Sequence, residues 1–190
     1  MKVIGITGGI GCGKSYVARK MEQRGIPVYD TDSQARRLMV QDQSIIDGIS
    51  ALVPGAYVNG DLDRARVAAF LFASSGNAKQ IDSIVHPAVR RDFRRWAQEQ
   101  QTSLCAIESA ILFESGFNTE TGCTIVVDAP MEVRIKRCIE RDGTTREKVI
   151  QRIGQQMDQA EKCSMADFVI VNDNVANIDS QLDSILDNLK

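Results

Sequence analysis

The residues of this chain best suited to chemistry stand near its start, in the run Gly8-Gly9-Ile10-Gly11-Cys12-Gly13-Lys14-Ser15. Gly8, four intervening residues, then Gly13, Lys14 and Ser15 match the G-x-x-x-x-G-K-[ST] pattern of a phosphate-binding P-loop. Each residue type answers a physical need. The glycines allow backbone conformations that a Cβ forbids, so successive N–H groups can turn toward a polyphosphate. The cradle is expected from Gly9, Ile10, Gly11, Cys12, Gly13, Lys14, Ser15 and Tyr16, where the following helix also aims its N-terminus at the anion. Lys14 would set its ammonium on the β- and γ-phosphates of a nucleoside triphosphate, and the Ser15 hydroxyl would be one ligand of Mg²⁺. The dinucleotide fingerprint is excluded, because its third glycine would fall on Lys14.

Carboxylates form the next candidate set. The apolar pair Val28 and Tyr29 runs into Asp30, Thr31 and Asp32, which places two carboxylates at the C-terminal end of a strand, where open α/β sheets bind ligands. At least one is expected to act in catalysis, and one of the two can instead cap the helix starting near Ser33. Glu108 ends the strand of Leu104 to Ile107, and Asp128 ends that of Ile125 to Val127. Downstream, seven basic residues stand against three acidic ones between Arg134 and Arg152. Asp142-Gly143-Thr144-Thr145 breaks that stretch into two helices with a tip, the layout of a lid whose arginines neutralise phosphoryl charge and exclude water.

The elements needed to position these groups follow from pattern. Dense apolar runs at 3–6, 28–29, 104–107, 125–127 and 168–171 read as strands buried on both faces, hence parallel. Residues from Ser33 to about Trp96 read as helical with no convincing strand. Within them Asn77 and Gln80 resemble a capping box, His86-Pro87 resembles a helix start, and Arg90, Arg91, Arg94 and Arg95 form a basic stripe. Between Glu108 and Ile125, the segment Ala110 to Glu114 either closes a substrate pocket or packs in the core through Leu112 and Phe113. A final amphipathic helix carries Ile178, Leu182, Ile185, Leu186 and Leu189. The fold class is therefore α/β: a five-stranded parallel sheet flanked by helices, with a helical substrate-binding region and a helical lid. Its core is expected at about 1–32, 101–130 and 166–190, the substrate region at about 33–100 and the lid at about 131–165.

Composition bounds the partners. A formal charge of -2 over 190 residues argues against nucleic acid. No apolar run is long enough to span a membrane, and five dispersed cysteines without a C-x-x-C fit neither a disulfide framework nor a zinc site. A cytoplasmic protein without membrane attachment is expected. Cys12 is expected to be a reactive thiolate if it faces the phosphates, and inert if it points into the core.

Taken together, the P-loop, Asp30-Thr31-Asp32 with Arg36, His86-Pro87, Leu112-Phe113-Glu114, Arg141-Asp142, Arg152-Ile153-Gly154-Gln155-Gln156 and Ala166 to Asn172 resemble the dephospho-coenzyme A kinase family nearly end to end. The resemblance implies a P-loop kinase fold and transfer of the ATP γ-phosphate to the ribose 3′-hydroxyl of dephospho-CoA, with Mg²⁺. It implies Lys14, Asp32 and Arg141 as catalytic groups, Arg141 also touching ATP. Asp30, Asp32, Arg36, His86, Leu112 and Glu114 would meet the acceptor, and Glu108 would join Ser15 at the metal. His86 can alternatively cap its helix. Two departures stand out: Cys12 replaces the usual serine, and Glu108-Ser109-Ala110-Ile111 replaces a more usual acidic-x-Pro-Leu run. Another small-metabolite kinase would share the loop and lid without the aspartate and His-Pro set. A nucleotide-dependent switch protein would commonly carry Asn-Lys-x-Asp, which is absent. The sequence sets no oligomeric state.

Overall fold

The computed structural model describes residues 1–74 and 76–189. The chain divides into two compact units, Met1–Tyr29 with Gln101–Lys190, and Asp30–Gln100.

The first unit is built on the sheet. Among the described residues β1 (Lys2–Thr7), β2 (Val28–Asp30), β5 (Leu104–Glu108), β6 (Cys123–Asp128) and β7 (Phe168–Val171) form one parallel sheet in the order β2-β5-β1-β6-β7. Ile6 pairs with Glu108, Thr7 with Val126 and Asp128 with Val171. The ends of the central strands therefore share one edge, which carries Thr7, Glu108 and Asp128. Ile4, Ile6, Ile125 and Val127 are fully buried, packed with Val17 and Met21 of α1 (Lys14–Glu22) and Leu182 of α9 (Ile178–Asp187). Each such side chain contributes about 1.5–3 kcal/mol on burial. A Cβ on Gly5 would come within 2.7 Å of Leu112 Cδ2, so Leu112, itself fully buried, is a packing residue of the sheet. The expectation that Leu112 meets substrate is corrected accordingly.

The lid segment comprises α6 (Met131–Asp142), α7 (Arg146–Ile153) and α8 (Gln159–Met165). Gly143, at φ 59°, ends α6, and the Thr145 hydroxyl accepts from Lys148 N–H to start α7.

The second unit holds α2 (Thr31–Gln41), α3 (Gln43–Leu52), a hairpin of β3 (Tyr57–Val58) and β4 (Asp61–Leu62), α4 (Arg64–Ala73) and α5 (Asn77–Glu99). Three expectations are corrected here. The hairpin was not foreseen: Asn59 and Gly60 both take positive φ, 53° and 89°, which matches the twist of a two-residue hairpin turn. Pro87 lies inside the 23-residue α5 and starts nothing. Its missing N–H costs one helical hydrogen bond, but buried Val85, Ala88, Val89 and Phe93 on either side hold the helix through it. Nor do Asn77 and Gln80 form a capping box. Gly76 is the N-cap, with no side-chain bond, while Asn77 Nδ2 donates to Phe70 O at 2.7 Å. The basic stripe is partly tied down, since Asp92, 6% exposed, accepts from Arg37 at 2.6 Å and Arg95 at 2.5 Å.

Candidate active site

The loop between β1 and α1 sets the site. Gly13 is the N-cap of α1 at φ 92°, with no side-chain cap and no acidic residue in the first turn. Asp30, Asp42, Asp63, Thr145, Asp158 and Asn177 cap α2, α3, α4, α7, α8 and α9 through their side chains, and α1 shares the lack of such a cap with α5 and α6. First-turn N–H groups lack intrahelical acceptors, so the uncapped start of α1, flanked by Lys14, is built to take an anion. Gly13 is required twice over: its φ suits glycine, and a Cβ there would collide with Asn172 Nδ2.

If N–H groups are to face an anion, the loop carbonyls must find donors elsewhere. Arg134 Nε, on a side chain only 5% exposed, donates to Ile10 O at 3.0 Å, and Asn172 Nδ2 donates to Cys12 O at 2.8 Å. Arg137 Nη1 reaches Gly11 O and Cys12 O at 3.4 Å, while its Nη2 donates to Asn172 O and Oδ1 at 3.0 and 3.1 Å and to Asn174 Oδ1 at 2.5 Å. The loop is also tied to the far end of the lid. Gly9 N–H donates to Gln159 Oε1 at 2.8 Å and Ile10 N–H to Gln156 Oε1 at 2.9 Å, while Gln159 Nε2 donates to Val127 O at 3.1 Å. Sequence reasoning gave Arg134 and Arg137 only a share in the lid's charge neutralisation, and gave Asn172 and Gln159 no role. The visible signal was only an excess of arginine on α6.

Ser15 Oγ donates to Glu108 Oε1 at 2.8 Å, and Glu108 is 8% exposed. A hydroxyl and a carboxylate at one point form an all-oxygen donor set, which fits a hard cation that keeps phosphate oxygens and water as its other ligands. No cluster of three or more His, Cys, Asp or Glu occurs among the described residues, so the protein alone offers no complete metal cage. Beside the loop, a cavity of about 580 Å³ is lined by Gly13, Tyr16, Arg137, Asn172, Asn174 and Ile178 among others. Its amide side chains and guanidinium above an apolar floor suit a heterocyclic base.

Other expected site residues lie differently. Cys12 is fully buried in the core beneath the sheet, and burial pushes its thiol pKa up despite Arg134 and Lys14. Of the two alternatives the side chain takes the core one, its Sγ 3.7 Å from Gln159 Oε1, so the reactive-thiolate expectation is not met. Glu114 Oε1 takes the fully buried Lys162 Nζ at 2.8 Å and Met157 N–H at 3.1 Å, and the same ammonium donates to Ala110 O at 2.6 Å. Glu114, expected at the substrate, thus carries an ion pair that fastens the 110–116 turn to α8. Arg141 is 61% exposed and lies on Asp142, which Arg152 also contacts at 2.8 Å. These two guanidinium groups hold the Asp142 carboxyl far below its usual range.

In the second unit the two aspartates separate clearly. Asp30 caps α2, its Oδ1 accepting Asp32 N–H at 3.0 Å and Ser33 N–H at 3.3 Å. Its carboxylate is engaged as the α2 cap, the role the sequence allowed for one of the two aspartates. Asp32 is exposed, and its carboxylate has no hydrogen-bond or ion-pair partner among the described residues. Arg36 follows one turn later on the same face, exposed. His86 Nε2 lies 3.6 Å from Asp82 Oδ1 within α5 and caps nothing.

A family model described as dephospho-CoA kinase matches residues 2–177. The chain belongs to the dephospho-CoA kinase family. It is 44% identical over 174 residues to a dephospho-CoA kinase of Porphyromonas gingivalis, covering 90% of this chain and 86% of that one. With a Bacteroides fragilis protein of the same name the identity is 42% over 172 residues, covering 90% and 84%. The crystal structure of TT1252 from Thermus thermophilus superposes with a TM-score of 0.88 at 34% identity, covering 100% of this chain and 98% of that one. As a dephospho-CoA kinase family member the chain is an ATP-dependent kinase, a phosphotransferase. No helix among the described residues is long and apolar enough to cross a membrane.

Proposed function

We propose that the chain transfers the γ-phosphoryl group of ATP to the ribose 3′-hydroxyl of dephospho-CoA in the cytoplasm, giving coenzyme A. The observation that carries the site assignment is the open N-terminus of α1, with Ser15 held on Glu108. Lys14 and the N–H groups at the start of α1 bind the β- and γ-phosphates, and Arg134, Arg137 and Asn172 keep the loop carbonyls turned away from that charge. The base sits in the cavity of Tyr16, Arg137 and Asn174. Ser15 and Glu108 would hold Mg²⁺, which would supply neutralisation of the charge that develops in transfer.

On the acceptor side, Asp32 orients the 3′-hydroxyl and takes its proton at a carboxylate oxygen, a role for which its lack of other partners suits it. Arg36 faces the acceptor's phosphates. Arg141 leaves Asp142 to meet the transferring group as the lid closes, stabilising charge at that moment. Positioning and charge neutralisation then supply most of the rate, as phosphoryl transfer requires. Mass spectrometry of a reaction of dephospho-CoA, ATP and Mg²⁺ is expected to show one added phosphate per acceptor and one ADP formed. ADP release independent of the acceptor would refute the assignment.

A further inference from the structure

The second unit carries an apolar cavity to which the transfer chemistry, beyond Arg36 at its rim, assigns no occupant. On α4, Arg64, Val67, Ala68 and Leu71 stand at i, i+3, i+4 and i+7, one stripe of the helix. Facing them are Met39 of α2 and Leu62 of β4, with Arg36 at the rim, around a space of about 240 Å³. Val67 is 5% exposed at its base and Leu71 is 36% exposed at its open side. Apolar side chains around an open cavity are only partly removed from water, and an apolar ligand would complete their burial.

The charges around this cavity identify the ligand. Neighbouring arginines are occupied: Arg37 by Asp92, Arg66 by Asp63 and Pro54 O, Arg91 by Ser44. Arg36 and Arg64, the two that line the cavity, have no hydrogen-bond or ion-pair partner among the described residues. Two free guanidinium groups beside an aliphatic slot fit a phosphate ester with a slender, partly apolar tail.

Helix α2 supplies the order. Asp32, Arg36 and Met39 lie at i, i+4 and i+7 on one face, so Arg36 sits about 6 Å and Met39 about 10 Å along the axis from Asp32. Dephospho-CoA has the same order outward from its reacting hydroxyl: ribose, diphosphate, then the pantetheine arm, which begins with a geminal dimethyl carbon. We propose that the cavity between α2 and α4 is the subsite for the pantetheine arm, with Arg36 and Arg64 holding the diphosphate. The subsite rests on dephospho-CoA being the acceptor. It makes the arm a source of selectivity, separating this acceptor from the free adenine nucleotides that share its other half.

The test compares dephospho-CoA with the methyl ester of adenosine 5′-diphosphate, which keeps the ribose and diphosphate and lacks the arm. The parent is expected to favour dephospho-CoA in kcat/KM. Leu71→Asp and Met39→Ala each shrink that preference, by about 10-fold or more for the aspartate, since even one methylene in an apolar pocket is worth that much. Arg64→Ala lowers kcat/KM for both acceptors. Loss of folded enzyme scales both acceptors alike, so the ratio reads the subsite alone. Equal kcat/KM for the two acceptors in the parent, or a preference unchanged in both apolar variants, overturns the subsite while leaving the reaction standing. A parent that phosphorylates neither acceptor overturns the assigned reaction and the subsite with it.

Discussion

Ser15 and Glu108, 93 residues apart, are joined by a hydrogen bond of 2.8 Å from the serine hydroxyl to the carboxylate. The bond ties the first turn of α1 to the end of β5, two strand-edge features that parallel pairing of β1 with β5 brings side by side. It fixes the one hydroxyl that the loop offers to a metal ion and puts a carboxylate within reach of that ion's water shell.

Glu108→Gln keeps the size of the side chain and removes its charge. The Mg²⁺ concentration for half-maximal rate should rise, or kcat fall, by about 10- to 100-fold, as is typical when a group that orients a metal ligand is lost. A magnesium titration of initial rates checks this. An unaltered profile would leave Glu108 as a buried structural acid.

Asp32 and Asp30 should respond oppositely. Asp32→Asn is expected to lower kcat by about 10²-fold or more, the usual worth of a general base, with no change in Tm because the carboxylate is exposed and unpartnered. Asp30→Ala removes the α2 cap and should cost about 1 kcal/mol of stability. Normal turnover by Asp32→Asn would exclude it as base.

Gln159 joins the loop to the sheet through Gly9 N–H and Val127 O. Gln159→Ala leaves both groups unpaired, at about 1–3 kcal/mol for a buried one. Thermal denaturation should show a lower Tm, and steady-state kinetics a raised KM for ATP with that for dephospho-CoA unmoved. Equal effects on both KM values would mean general loosening instead.

Asp142 gives the lid a pH signature. Its folded carboxyl is held below the ordinary value by Arg141 first and Arg152 second. A depressed carboxyl stabilises the fold above the unfolded pKa, about 3.9 for aspartate, and loses that contribution as pH falls through the folded value. Asp142→Asn should therefore lower Tm at pH 7, and the gap to the parent should narrow steadily from about pH 4 downward. A gap constant with pH would mean that the ion pairs contribute nothing.

Much of this architecture was legible before the structure. The strands declared themselves because burial on both faces demands unbroken apolar runs, and the loop because phosphate binding constrains glycine, lysine and serine within eight positions. The hairpin at 57–62 was hidden by its two-residue strands, too short to alternate visibly. Pro87 misled because its local preference for a helix start was outweighed by packing along α5. The surroundings of Glu114 and Cys12 were hidden for a related reason: the ion-pair partner of Glu114, Lys162, lies 48 positions away, and the core around Cys12 is assembled from distant strands. Arg134, Arg137, Asn172 and Gln159 serve loop carbonyls and N–H groups, and no side-chain motif announces backbone partners.

The central claim is the site of phosphorylation, and two-dimensional phosphorus–proton NMR of the purified product tests it most directly. A new phosphomonoester resonance correlated with the ribose H3′ proton, absent when Asp32→Asn replaces the parent over the same interval, is the predicted result. Correlation with H2′ or with the pantetheine arm, or a product whose phosphorus spectrum matches that of the unreacted acceptor, would contradict it.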